Sequence, residues 1–183
     1  MFQLHTSTRL VPPHSEEAVE IDTDMAALVR ALWARGWQTA ACCQDIGEAA
    51  EAERAHGEPW EPTGHQGFIE YYRGRAWLKM PAPDAFALLT ELSDHETFGT
   101  RVKVRWQRGS WRMHTPVVHQ DGRFTATPHT QIYFPKDQIA ELVRAIRPPT
   151  AVLGRISLYQ AVSSGAGTAN EVFRNSRYSR TPA

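Results

Sequence analysis

The sequence predicts an α+β fold in which helices pack on one face of a mostly antiparallel sheet, and three observations lead there. Apolar residues recur at helical spacing in separate segments near residues 25–33, 83–92 and 139–146. Short β-compatible runs bounded by turn residues lie between them, several in the 101–134 stretch. A strand followed by a helix occurs twice, at Arg75 to Leu92 and at Gln131 to Ile146, which suits a pseudo-symmetric sandwich.

In chain order, residues 1–20 show no period and read as an N-terminal arm or one short strand. Met25, Leu28, Val29, Leu32 and Trp33 then mark a helix, with Asp22 or Thr23 able to cap its start and Gly36 to close its end. Trp37 to Gln44 reads as a short buried strand, and the Ala- and Glu-rich run Glu48 to His56 as a helix. Gly67 to Tyr72 and Arg75 to Met80 read as a hairpin turning at Arg73-Gly74. Pro83 opens a helix striped by Phe86, Leu88, Leu89 and Leu92. Arg101 to Trp106 alternates as a strand, Trp111 to His114 follows as another, and Asp121-Gly122 marks a turn. Gln131 to Phe134 is a strand and Lys136 to Ile146 a helix that Pro148-Pro149 stops. The domain is therefore expected over residues 21–150, and residues 151–183 form a C-terminal extension with a basic tail.

A chain of 183 residues with 42% apolar and 22% charged content has the size and composition of one globular domain. No run approaches the roughly eighteen apolar residues that span a bilayer, and no membrane partner is expected. The only cysteines, Cys42 and Cys43, are adjacent, so in a strand they point to opposite faces and a disulfide between them would be strained. Reduced thiols and a cytoplasmic location are the expectation.

Formal net charge is zero, yet residues 1–100 hold 7 Lys/Arg against 16 Asp/Glu, and residues 101–183 hold 13 against 4. Such segregation fits either an electropositive binding face or an acidic half meeting a basic half, within the fold or in a homo-oligomer. If Arg101 to Trp106 is a strand, Arg101, Lys103 and Arg105 stand on one face about 7 Å apart, near the spacing of nucleic-acid phosphates. Arg112 can join them, and Trp106, Trp111, Tyr71 and Tyr72 offer rings for stacking.

Cys42 or Cys43, at a strand end just before a helix, is a candidate nucleophile with an acid or base drawn from Asp45, His56 and His65. The spacing of Cys42, Cys43, His56 and His65 does not match the ligand pairs of a structural zinc, so no metal site is expected there. Dinucleotide, phosphate-loop, nucleophile-elbow and zinc-protease motifs are all missing, and no cofactor is expected.

The helix-Gly-x-x-Thr-x-x-Cys segment from Ala31 to Cys43 resembles the tRNA wybutosine-synthesising methyltransferase family, with Cys43, Gln44 and Asp45 in place of its serine, glycine and basic residue. The run Cys42-Cys43-Gln44 after a helix and Tyr133 to Gln138 before a helix is similar to small proteins of actinobacteria and their phages that have no assigned activity. Both resemblances imply a cytoplasmic role linked to nucleic acid. The leading expectation is thus a small cytoplasmic module binding nucleic acid or a phosphorylated ligand through Arg101, Lys103, Arg105 and Arg112. The alternatives are a cysteine-dependent enzyme using Cys42 or Cys43 and a non-enzymatic assembly or host-factor-binding protein.

Overall fold

In the computed structural model, residues 4–55, 66–103 and 109–146 are described. The chain divides into two units, Met1–Pro149 and Thr150–Ala183, and all described residues lie in the first. His56, His65, Arg105, Trp106 and the basic C-terminal tail fall outside them.

The architecture is α+β, as the sequence predicts. Strands β1 (Ser7–Leu10) and β2 (Val19–Asp22) form an antiparallel hairpin leading straight into helix α1 (Thr23–Ala34). The described part of the N-terminal segment is thus a hairpin, and through it Leu10 and Ile21 join the hydrophobic core. Strand β3 (Ala41–Cys43) is shorter than the sequence predicts, and helix α2 (Ile46–Ala55) follows.

Strands β4 (Arg75–Pro81), β5 (Arg112–His114) and β8 (His129–Pro135) complete a four-stranded antiparallel sheet with β3, in the order β3-β4-β8-β5. Between β4 and β5 lie helices α4 (Ala82–Ser93) and α5 (Gly99–Lys103). Strands β6 (Val117–Gln120) and β7 (Arg123–Ala126) make a separate hairpin. Its turn residues Asp121 and Gly122 both have positive φ, 51° and 74°, as a tight two-residue turn requires. The helical turn Lys136–Gln138 and helix α6 (Ile139–Ala145) close the described chain.

The sheet has two chemically distinct faces. Ala76, Leu78 and Met80 of β4 and Ile132 and Phe134 of β8 point one way into a core shared with Met25, Leu28 and Leu32 of α1, Leu88 and Leu92 of α4, and Leu142 of α6. Trp77, Lys79, Gln131, Tyr133, Arg112 and Cys43 occupy the other face, in register across the strands.

Two segments differ from the sequence reading. Residues 67–72 lie in a helix, α3 (Gln66–Tyr72), not in the first strand of a hairpin. Their aromatic and β-branched content favours a strand locally, but tertiary contacts at helical spacing decide otherwise. Phe68 and Tyr72 pair one turn apart with ring centroids 4.4 Å apart, Ile69 is buried, and Tyr72 meets Tyr133 at 4.8 Å on the second sheet face. The segment read as the strand Arg101 to Trp106 begins in α5: Val102 N donates to Phe98 O at 3.0 Å, and Val102 packs against the core.

The α2–α3 pair depends on Gly47, where an added Cβ would lie 2.4 Å from the Arg73 Cα and 2.7 Å from the Tyr72 carbonyl carbon. Both obstacles are backbone and cannot rotate aside. Gly47→Ala is expected to lower stability by about 2 kcal/mol, read as a shift of the urea midpoint at unchanged m-value, despite alanine's better helix propensity; an unchanged or raised midpoint would refute the close approach.

Candidate functional site

The strand carrying the cysteines is fixed from both sides. Trp33 Nε1 donates to Thr39 Oγ1 at 3.0 Å, and Ala40 N donates to Lys79 O at 2.7 Å. Cys42 lies opposite Leu78 and packs on the core, whereas Cys43 lies opposite Trp77 on the second face. The thiols are free and diverge, as strand geometry demands. Burial, reinforced by the Asp22 carboxylate, pushes Cys42 up to about 12. Burial likewise pushes Cys43 up to about 12. Neither is set as a thiolate nucleophile in the metal-free chain.

Asp45 has a structural task. It is fully buried, and its Oδ1 accepts from the Gly47 and Glu48 N–H groups, both at 3.1 Å, capping the start of α2. Oδ2 accepts from Gly74 N at 2.9 Å and from Lys136 Nζ at 2.8 Å. Hydrogen bonds to Asp45 and then to Glu48 hold the Lys136 ammonium above the usual lysine range. A carboxylate with four donors has little capacity left for proton transfer, so the sequence reading of Asp45 as acid or base gives way to a cap and ion-pair role.

Beside Cys43 stand residues that the sequence reading did not single out. His5, with an almost covered side chain, lies with Nδ1 3.1 Å from Asp22 Oδ2 and Nε2 3.3 Å from Glu48 Oε2. Cys43 Sγ is 4.0 Å from His5 Nδ1. Gln44 N donates to Asp22 Oδ2 at 2.8 Å, and Lys136 Nζ reaches Glu48 Oε1 at 3.1 Å. His5 lies in a stretch without periodicity, and only the pairing of Ser7 with Asp22 brings it alongside. No local signal marks it.

The cation row does not survive as a row. On a helix, Arg101 and Lys103 are separated by about 200° of rotation, so they diverge instead of sharing a face. Arg101 pairs with Glu141 and lies over the Phe98 ring at 5.0 Å. Lys103 and Arg112 have no ion pair among the described residues, and both line a cavity of about 390 Å³ beside the edge strand β5. Leu89, Val102, Trp111 and Met113 form its apolar wall, with His114 also present. The Arg112 guanidinium sits 4.3 Å from the Tyr71 ring centroid, and its Nε is shielded from water without an acceptor.

Of the rings proposed for stacking, Trp111 is buried against Phe134 with Nε1 bonded to Gln138, and Tyr72 is packed between Phe68 and Tyr133. Tyr71 is 39% exposed.

Comparison with known proteins finds no matching family model, no matching curated protein and no matching solved structure.

Asp45→Asn replaces an ionic four-bond acceptor and is expected to cost about 2–4 kcal/mol in urea unfolding. Lys136→Met should cost distinctly less, because the lysine side chain is 45% exposed; equal losses would contradict the cap role. For the thiols, a raised folded pKa means that their contribution is complete below about pH 9 and is lost as pH rises toward 12. Chelator-treated protein is therefore expected to react with iodoacetamide at neutral pH more slowly than free cysteine and to lose stability through that alkaline window; rapid labelling of the folded chain would overturn this.

Proposed function

We propose that this domain is a binding module for a phosphorylated ligand bearing an apolar or aromatic body, held in the cavity beside β5. The observation carrying the reading is the meeting of an apolar wall with Lys103 and Arg112, two cations without a carboxylate partner among the described residues. The volume falls in the range of small-ligand pockets. Arg112 lines the cavity from the edge strand, and its guanidinium stacks on Tyr71 at the strand's other face.

The free, protonated cysteines support a reducing compartment such as the cytoplasm, and they weigh against the cysteine-dependent enzyme. Single-stranded nucleic acid remains the competing ligand, with one base entering the cavity and neighbouring phosphates outside it.

Calorimetric titration at low salt with phenyl phosphate, adenosine monophosphate and inorganic phosphate tests the proposal. The aromatic phosphates are expected to bind more tightly than inorganic phosphate, and Arg112→Met to weaken them about tenfold or more. Lys103→Met should weaken them and reduce their salt dependence. Absence of binding, or binding indifferent to both substitutions, would refute the module. Tighter binding of an oligothymidylate with a steep salt slope would assign the site to nucleic acid instead.

A further inference from the structure

We propose that His5, Asp22 and Cys43 form a site for one borderline-soft divalent metal ion, with zinc the best match to the donor set. The site is separate from the cavity beside β5 and does not depend on the function proposed for it. One imidazole nitrogen, one carboxylate oxygen and one sulfur lie within 4.8 Å of one another. His5 Nδ1 is 3.1 Å from Asp22 Oδ2 and 4.0 Å from Cys43 Sγ. In a tetrahedral zinc centre with ordinary bond lengths, those nitrogen–oxygen and nitrogen–sulfur edges are about 3.4 and 3.6 Å. The third edge, from Asp22 oxygen to Cys43 sulfur, is within 4.8 Å and would close to about 3.6 Å, a side-chain adjustment of up to about an ångström.

The surroundings are those of a metal-binding histidine. Such a ring presents one nitrogen to the ion and donates its other N–H to a carboxylate that fixes its tautomer. Here Nδ1 faces Asp22 and Cys43, and Nε2 faces Glu48 Oε2 at 3.3 Å, with Lys136 anchoring Glu48 through its other oxygen at 3.1 Å.

The donors come from separate pieces of chain that the fold has already fixed. Asp22 ends β2, Cys43 ends β3 opposite Trp77, and the hydrogen bond from Gln44 N to Asp22 ties the two strands together. Cys42 points into the core and takes no part. Three protein donors leave a fourth tetrahedral position for water or a ligand oxygen, the pattern of zinc sites that do chemistry. On binding, the Cys43 thiol forms its bond to the metal and releases its proton to solvent, and any proton on His5 Nδ1 leaves likewise.

The test uses the full chain, stripped with chelator and titrated with zinc against a chromophoric chelator, then with cobalt. Expected are one zinc per chain and, with cobalt, tetrahedral ligand-field bands and a thiolate-to-cobalt charge-transfer band. Cys43→Ser should abolish the charge-transfer band, and both it and His5→Gln should weaken zinc at least about a hundredfold. Glu48→Gln should weaken it about tenfold, and Cys42→Ser should leave affinity and spectrum intact. Circular dichroism establishes that each variant is folded, and Glu48→Gln supplies the readout if Cys43→Ser is not. Folded wild type without stoichiometric zinc, cobalt without the thiolate band, or loss of the site in Cys42→Ser but not in Cys43→Ser would overturn the proposal.

Discussion

The Asp45 carboxylate holds the corner on which the rest of this fold depends. It is fully buried and accepts from the first turn of α2, from the Gly74 backbone at the start of β4, and from Lys136 just beyond β8. A buried anion is tolerable only when its lone pairs are filled, and filling them from three elements fixes those elements mutually. The bond from Lys136 N to Gly74 O at 2.9 Å closes the same corner through the backbone. Gly47 completes it, since α2 can lie against the Tyr72-Arg73 backbone only where no Cβ intervenes.

From this corner a chain of polar contacts runs along one end of the sheet. Lys136 bridges Asp45 and Glu48, Glu48 faces His5, and His5 faces Asp22 and Cys43. The strand pleat makes the arrangement selective. Adjacent cysteines are sent to opposite sides, so one thiol serves packing while the other stands among nitrogen and oxygen donors. At the far edge of the sheet, β5 borders an apolar cavity lined also by Lys103 and Arg112, which have no ion pair among the described residues. The two places differ in chemistry: one gathers hard and soft donors around a small space, and the other pairs a hydrophobic wall with positive charge.

The conversion of residues 101–103 from strand to helix shows how local pattern misleads. Alternation of cations with valines satisfies a period of two, but five residues also satisfy one helical turn, in which Val102 reaches the core and Arg101 reaches Glu141. Residues 67–72 repeat the lesson, because an aromatic-rich segment becomes helical where Phe68, Ile69 and Tyr72 find partners at helical spacing. In both cases the segment is too short for periodicity to discriminate, and packing decides.

By itself the sequence determined the α+β class, helices α1, α2, α4 and α6, strands β4 and β8, and the divergence of Cys42 and Cys43, because long apolar stripes and the strand pleat are written in residues close together along the chain. It also marked Lys103 and Arg112 as cations of interest, though not the reason. Tertiary structure alone decided that residues 4–22 form a hairpin joined to the core, that Asp45 is a cap, that Arg101 is neutralised, and that His5 meets Cys43 across thirty-eight positions of chain. Those outcomes depend on pairings between distant segments, and no local window contains both partners of such a contact.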